Sequence, residues 1–249
     1  MVKYKTILKA IEQETHKTHY TLKAIRKQIE PTIKKITDNQ EEYDILMKEI
    51  PQFYRQYWNE KKENLSIIDN NKQKIDPILG EDHCVTFTDD IVEQAEKEGL
   101  LLTIHNHPSA TSIQSDGDYY CIASLGIKYG VSISKDGIVV SKNTYGEASE
   151  DYADDVLYSW SKWHQNLKNE VWNTKEGKEI TSWWQQIPLN ELMFGEKRDE
   201  FSQELHEKQK KLYKNYVLNN MDTQINNLNK QYEADEIPIS MSYIEIAQP

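Results

Sequence analysis

"LLLTIHNHPSATSIQSDGDYY", residues 100–120, decides how this chain is read. An apolar run of strand length ends in two histidines one residue apart. Side chains at i and i+2 of a strand leave on the same side. His105 and His107 can thus turn their ring nitrogens to one ion. Zinc in catalytic sites takes such nitrogens together with a carboxylate and leaves one position for water. Asp118 offers that carboxylate, because it lies where the next helix begins and a loop can return it to the histidines. Pro108 fixes the direction in which the chain leaves the pair. A bare His-x-His pair is more often ordinary surface or core. Here it is followed by Pro108, then Ser115 eight residues past His107 and Asp118 three further on.

Upstream, "DIVEQAEKEG" reads as a helix capped by Thr88 or Asp89 and ended by Gly99. The continuous "LLLTI" run suits a strand covered on both faces. "ENLSIIDNNKQKI" reads as strand, turn at Asn70-Asn71 and strand, and "HCVTF" as another short strand. Downstream, "YYCIASLGIKYG" is a short helix and "VSISKDGIVVSK" a hairpin around Asp136-Gly137. Residues 59–146 thus make a compact mixed α/β unit. Residues 1–58 form a helical N-terminal extension, in which Leu22, Ile25, Ile29, Ile33 and Ile36 step by three and four. Pro31 is expected to kink or bound that helix, and Pro51 to interrupt the next. Residues 147–249 form a helical, Trp-rich C-terminal region, with five of the six tryptophans between Tyr152 and Trp184. Leu218, Met221, Ile225, Leu228 and Tyr232 make a stripe too short for a coiled coil and suited to packing on the N-terminal helices. "IPISMSYIEI" alternates like a strand.

The formal net charge is −11, which argues against a nucleic-acid binder that relies on phosphate attraction. Lys208, Lys210, Lys211 and Lys214 are interleaved with acidic residues and read as a solvated helix face. Cys84 and Cys121 are the only cysteines and form no Cys-x-x-Cys pair, so a reducing, cytoplasmic setting is expected. No apolar run reaches the length of about eighteen residues that marks a membrane span. The charged first residues lack a signal peptide's apolar core.

His105-x-His107-Pro108, a spacer and Ser115-x-x-Asp118 resemble the JAMM motif, also called MPN+ or JAB, of zinc metalloproteases. The wording "HNHPS" is closest to the prokaryotic branch that includes RadC-like proteins, although that branch usually has glycine at the position of Ala110. The likeness covers roughly residues 60–144. It implies an α+β fold with a JAB/MPN-like (cytidine-deaminase-like) mixed sheet flanked by helices. It implies that His105, His107 and Asp118 ligate Zn2+, with water completing the tetrahedron, and that Ser115 stabilises an oxyanion. It also implies an upstream glutamate, at a strand start, as the base. Glu63, opening "ENLSIID", is the first choice and Glu60 the second; Glu81 sits too close to His105 for the family's connection.

The implied reaction is hydrolysis of a peptide or isopeptide amide, in a ubiquitin-like modifier or in a viral or phage protein. The expected partner is a protein or peptide substrate, with the helical extensions as a surface for a partner protein. Neither nucleic acid nor membrane is expected. The rival reading is an assembly or scaffolding protein whose MPN-like domain only binds; the retained ligand set speaks against it. A RadC-like DNA-repair role rests on the "HNHPS" wording and is opposed by the acidic charge. Among other residues, Asp116 reads as a solvated rival to Asp118 and Cys121 as a buried thiol. His83 beside Cys84 lacks further ligands. His164 sits among packing tryptophans, and His16 and His19 share a solvated helix face.

Overall fold

The computed structural model describes residues 21–79, 88–108, 111–188 and 198–247. The expectations for His16, His19, Glu81, His83, Cys84, the "HCVTF" strand, Ser109 and Ala110 lie outside these residues. Two helices come first, α1 (Leu22–Ile36) and α2 (Gln40–Tyr57). The central stretch holds β1 (Asn64–Asp69), β2 (Lys74–Leu79), α3 (Asp89–Glu98), β3 (Leu100–Asn106), α4 (Asp116–Ser124), β4 (Tyr129–Ser134) and β5 (Gly137–Asn143). Then follow α5 (Glu150–Asn173), α6 (Lys175–Gln185), α7 (Arg198–Asn219), α8 (Met221–Ala234) and β6 (Ile239–Glu245). The class is α+β.

The strands form one mixed sheet in the order β2-β1-β3-β4-β5-β6. Only β3 and β4 run parallel, and α4 is the crossover between them. Helices cover both faces. On one face α1 and α2 bury Ile25, Ile29, Ile33, Leu46 and Ile50 against Ile104, Val131, Ile133 and Val140. On the other, α3, α4, α5, α7 and α8 pack against Leu65, Ile67, Val139, Ile239 and Met241. The apolar "LLLTI" run is covered on both sides, as its composition requires.

Pro31 and Pro51 lie inside continuous helices and end neither of them. A mid-helix proline costs about 3 kcal/mol. Burying three isoleucines of the α1 stripe completely, at about 1.5–3 kcal/mol each, outweighs that cost. The Met221–Tyr232 stripe likewise differs from expectation. It faces α5 and β6 on the far side of the sheet, in a cluster separate from α1 and α2. Local details follow the chemistry. Thr88 is the N-cap of α3, and Gly99 ends that helix at φ +70°, where a side chain would also strike Asn70. The β1–β2 turn spans Asn70 to Gln73, with Lys72 at positive φ. The β4–β5 turn is Lys135-Asp136, because Ser134 already pairs with Gly137. Tyr129 and Gly130, read with the preceding helix, open β4. Among the described residues no helix is long and apolar enough to cross a membrane.

Candidate metal centre

β3 carries His105 and delivers His107 just past its end, beside the start of α4. Strand alternation does the sorting: Leu102 and Ile104 turn to α1 and α2, so Thr103 and His105 turn to α4. The two imidazoles converge, with Nε2 of His105 2.8 Å from Nε2 of His107. The backbone N–H of His107 donates to the Ile133 carbonyl (2.8 Å), which carries the parallel ladder one step beyond β3.

Asp118 arrives from α4 through the helix's N-terminal geometry. Ser115 is the N-cap, and its hydroxyl accepts from the Asp118 N–H (3.2 Å) while donating to Asp118 Oδ2 (2.9 Å). The Ser115 N–H donates to the same oxygen at 2.7 Å, which closes a capping box. The carboxylate so held meets both histidines, with Oδ1 3.3 Å from His105 Nε2 and Oδ2 3.4 Å from His107 Nε2. Glu63 completes the group from the residue before β1. One ligand atom from each of Glu63, His105 and His107 lies within 4.8 Å of the other two. All three are buried or nearly so, and the group could hold a metal ion.

Ring tautomer supports that use. Nδ1 of His107 lies 2.8 Å from the Thr111 carbonyl. A carbonyl only accepts, so Nδ1 carries the proton and neutral His107 keeps its lone pair on Nε2, facing His105. Burial alone would lower the His107 pKa, but the Asp118 carboxylate outweighs it and raises the imidazole above its ordinary value. Burial likewise pushes Asp118 upward. His105 and then His107 overcome that effect and hold the carboxyl well below the usual carboxylate range. The carboxylate and a protonated His107 thus stabilise each other, and a metal ion would have to displace that proton.

The other sequence candidates divide. Glu60 is exposed in the loop after α2 and does not join the group. Asp116 is exposed and accepts from the Gly117 N–H of its own helix turn (3.0 Å). Cys121, expected to be a buried thiol, is instead half-buried; one turn past Asp118, it lines a cavity of about 40 Å³ with Glu63, His105 and Asp118. His164 packs on Trp160 at 4.4 Å between ring centres, within the helical layer.

Three positioning elements escaped the sequence reading. Asn106, between the two histidines, accepts from the Asn64 N–H (2.8 Å) and donates to the Lys62 carbonyl (3.0 Å). It thereby pins the residues on either side of Glu63. Buried serines in β4 and β5 tie down the loop that returns Asp118: Ser132 donates to the Ser112 carbonyl and Ser141 to Gln114 Oε1. At the hairpin turn Asp136 Oδ2 accepts from the Ser112 N–H (3.3 Å) and hydroxyl (3.2 Å). The one available signal was serine at the inward positions of two otherwise apolar strands. No family model, no curated protein and no solved structure matches this chain.

Proposed function

We propose that the chain is a zinc-dependent hydrolase of peptide or isopeptide amides, built on a JAB/MPN-like sheet and of JAMM type. The observation that carries the reading is the meeting of His105, His107 and Asp118 at one point with Glu63 beside them. A tetrahedral site with bonds of about 2.0–2.1 Å has ligand–ligand edges of roughly 3.3 Å. The two N···O separations, 3.3 and 3.4 Å, fit such an edge, while the two imidazole nitrogens, 2.8 Å apart, would have to open to reach it. Two imidazoles with a carboxylate also suit zinc better than magnesium or calcium, which favour oxygen donors. When bound, zinc supplies a Lewis acid for the scissile carbonyl and lowers the pKa of its water to about 7.

The chain's own residues do the rest. His105, His107 and Asp118 hold the ion. Glu63 lies close enough to take a proton from the attacking water and return it to the leaving amine. Ser115, the expected oxyanion donor, has its single hydroxyl proton committed to Asp118. We assign it to holding that carboxylate. Asn106 keeps Glu63 at the site by bonding to both of its neighbours. The substrate is a protein or peptide, in a class that includes ubiquitin-like modifiers and viral proteins.

The test is chelation and reconstitution. The purified protein is expected to hold stoichiometric zinc and to cleave internally quenched peptides. Cleavage should vanish with the metal and return when zinc is restored. A protein that loads zinc but cleaves no member of a broad peptide and modifier-fusion panel, or that cleaves equally well without metal, would overturn the reading.

A further inference from the structure

Between α5 and α7 runs a groove of about 420 Å³. Its walls are apolar, with Val171 and Trp172 on α5 facing Leu212 and Tyr213 on α7. Its rim carries Lys168 from α5 and Lys210 and Lys214 from α7, with His164 and His206 between them. Burial and then the charge of Lys168 lower the pKa of His164 and favour its neutral ring. Among the described residues no carboxylate lines it, although the whole chain carries a net charge of −11. Lys168 and Lys210 are exposed and have no ion-pair partner among the described residues. Lys208, which does not line the groove, pairs with Glu204 at 3.2 Å and lies over the Trp183 ring. Lys168 and Lys210 thus face the groove with their charges available to a ligand.

The groove reaches the metal centre. Thr111 lines it, and the Thr111 carbonyl is the group that orients His107. His164 bridges the two helices above that end, packed on Trp160 at 4.4 Å and edge-on to Tyr213 at 5.8 Å. A chain lying in the groove is therefore delivered towards the histidines. Charge complementarity and this continuity name the occupant.

We propose that the groove docks an acidic peptide segment of the substrate protein, with apolar side chains against Trp172 and Tyr213 and carboxylates against Lys168 and Lys210. The purpose assigned to the groove rests on the hydrolase reading above; its ligand chemistry does not. A single nucleic-acid strand also follows cations and stacks on aromatic rings. Both ligands are polyanions, so the charge of the chain as a whole does not separate them; continuity with an amide-cleaving centre favours a peptide.

The experiment uses the full chain under chelating conditions, so that binding is read without cleavage. Fluorescence anisotropy is recorded with three labelled probes: a short peptide of alternating apolar and Asp/Glu residues, its Asn/Gln counterpart, and an oligothymidine. The acidic peptide is expected to bind about tenfold more tightly than its amide counterpart, the size that two or three rim charges supply. The Lys168→Glu and Lys210→Glu double variant, both positions being exposed, should keep the native circular dichroism and lose that preference. Equal affinity for the two peptides, a preference that survives the double variant, or tighter binding of oligothymidine would each overturn the proposal. Zinc content and cleavage are measured on an aliquot of the same preparation taken before chelation. Groove selectivity without zinc loading removes only the hydrolase reading, and zinc-dependent cleavage without selectivity removes only the groove.

Discussion

The two faces of the sheet are made by the same strands and do different work. The face under α1 and α2 is apolar: Ile104, Val131, Ile133, Ile138 and Val140 meet buried isoleucines and leucines. Polar chemistry enters there at the border, where Glu42 accepts from Lys128 (2.6 Å) and from the Tyr129 hydroxyl (2.7 Å). The opposite face takes the alternate residues of the same strands, and among them are His105, Ser132 and Ser141, all buried. A strand period of two lets one sequence place cohesion on one side and reactivity on the other. Substitutions on the two sides should therefore separate stability from chemistry.

The largest effect is expected at the reactive side. Glu63→Gln should lower the rate of amide hydrolysis by about a thousandfold, the usual contribution of a general base. Bound zinc and melting temperature should stay near their original values. A rate within a few-fold of the original would remove Glu63 from the mechanism. The mirror experiment is Ile29→Ala, deep in the apolar layer. It should cost about 3 kcal/mol of stability, read as a shift of the urea midpoint, because it leaves a cavity. Zinc stoichiometry of the folded protein should not change; a loss of zinc would show that the two faces are coupled.

Asn106→Ala tests the seam between the faces. It strands the Asn64 N–H, while the Lys62 carbonyl still accepts from the Asn64 side-chain amide (2.9 Å), an expected cost of about 2 kcal/mol. Hydrolysis should fall with zinc retained, since the residue positions Glu63 and not the ion. An unchanged rate would show that Glu63 holds its place without the clamp.

The smallest effect concerns acid. Burial pushes the Glu42 carboxyl up, but Lys128 and Tyr129 prevail and hold it below its ordinary 4.5. The unfolded chain then binds more protons than the folded one as pH falls below about 4.5, so stability is lost as pH drops through the folded value. The urea midpoint should decline between pH 5 and pH 3, and less steeply in Glu42→Gln; parallel profiles would dismiss Glu42 as the titrating tie.

How much of this was legible in the sequence depends on distance along the chain. The strand ending at Asn106, the histidine pair and the Ser115 cap are local patterns, and each is read from a few neighbours. The choice between Glu63 and Glu60 was not, because it depends on the register of β1 against β3. There Leu65 pairs with His105, and a one-residue slip would reverse every side chain. Pro31 marks no helix boundary, because its cost is local while the burial that outweighs it is tertiary. The lysines of α7 read as a solvated face, since acidic residues interleave with them in sequence. Only the approach of α5 brings Lys168 alongside Lys210 and sets the acids apart. The Asn106 clamp depends on segments brought together by strand pairing, and no spacing rule reports it.

One pairing also sets an order of events. β5 ends at Asn143 and its partner β6 begins at Ile239, with four of the described helices in between. At about 5–20 residues per second, a ribosome takes roughly 5–20 s to cross that interval. Until β6 docks, the rim of β5 is an unpaired ladder. Tyr119, next to Asp118, meanwhile lacks the Met241 sulfur that accepts its hydroxyl. A nascent chain thus makes the histidines and the helix bearing their carboxylate well before the strand that completes the packing around Tyr119. Translation order itself delays maturation of the proposed enzyme.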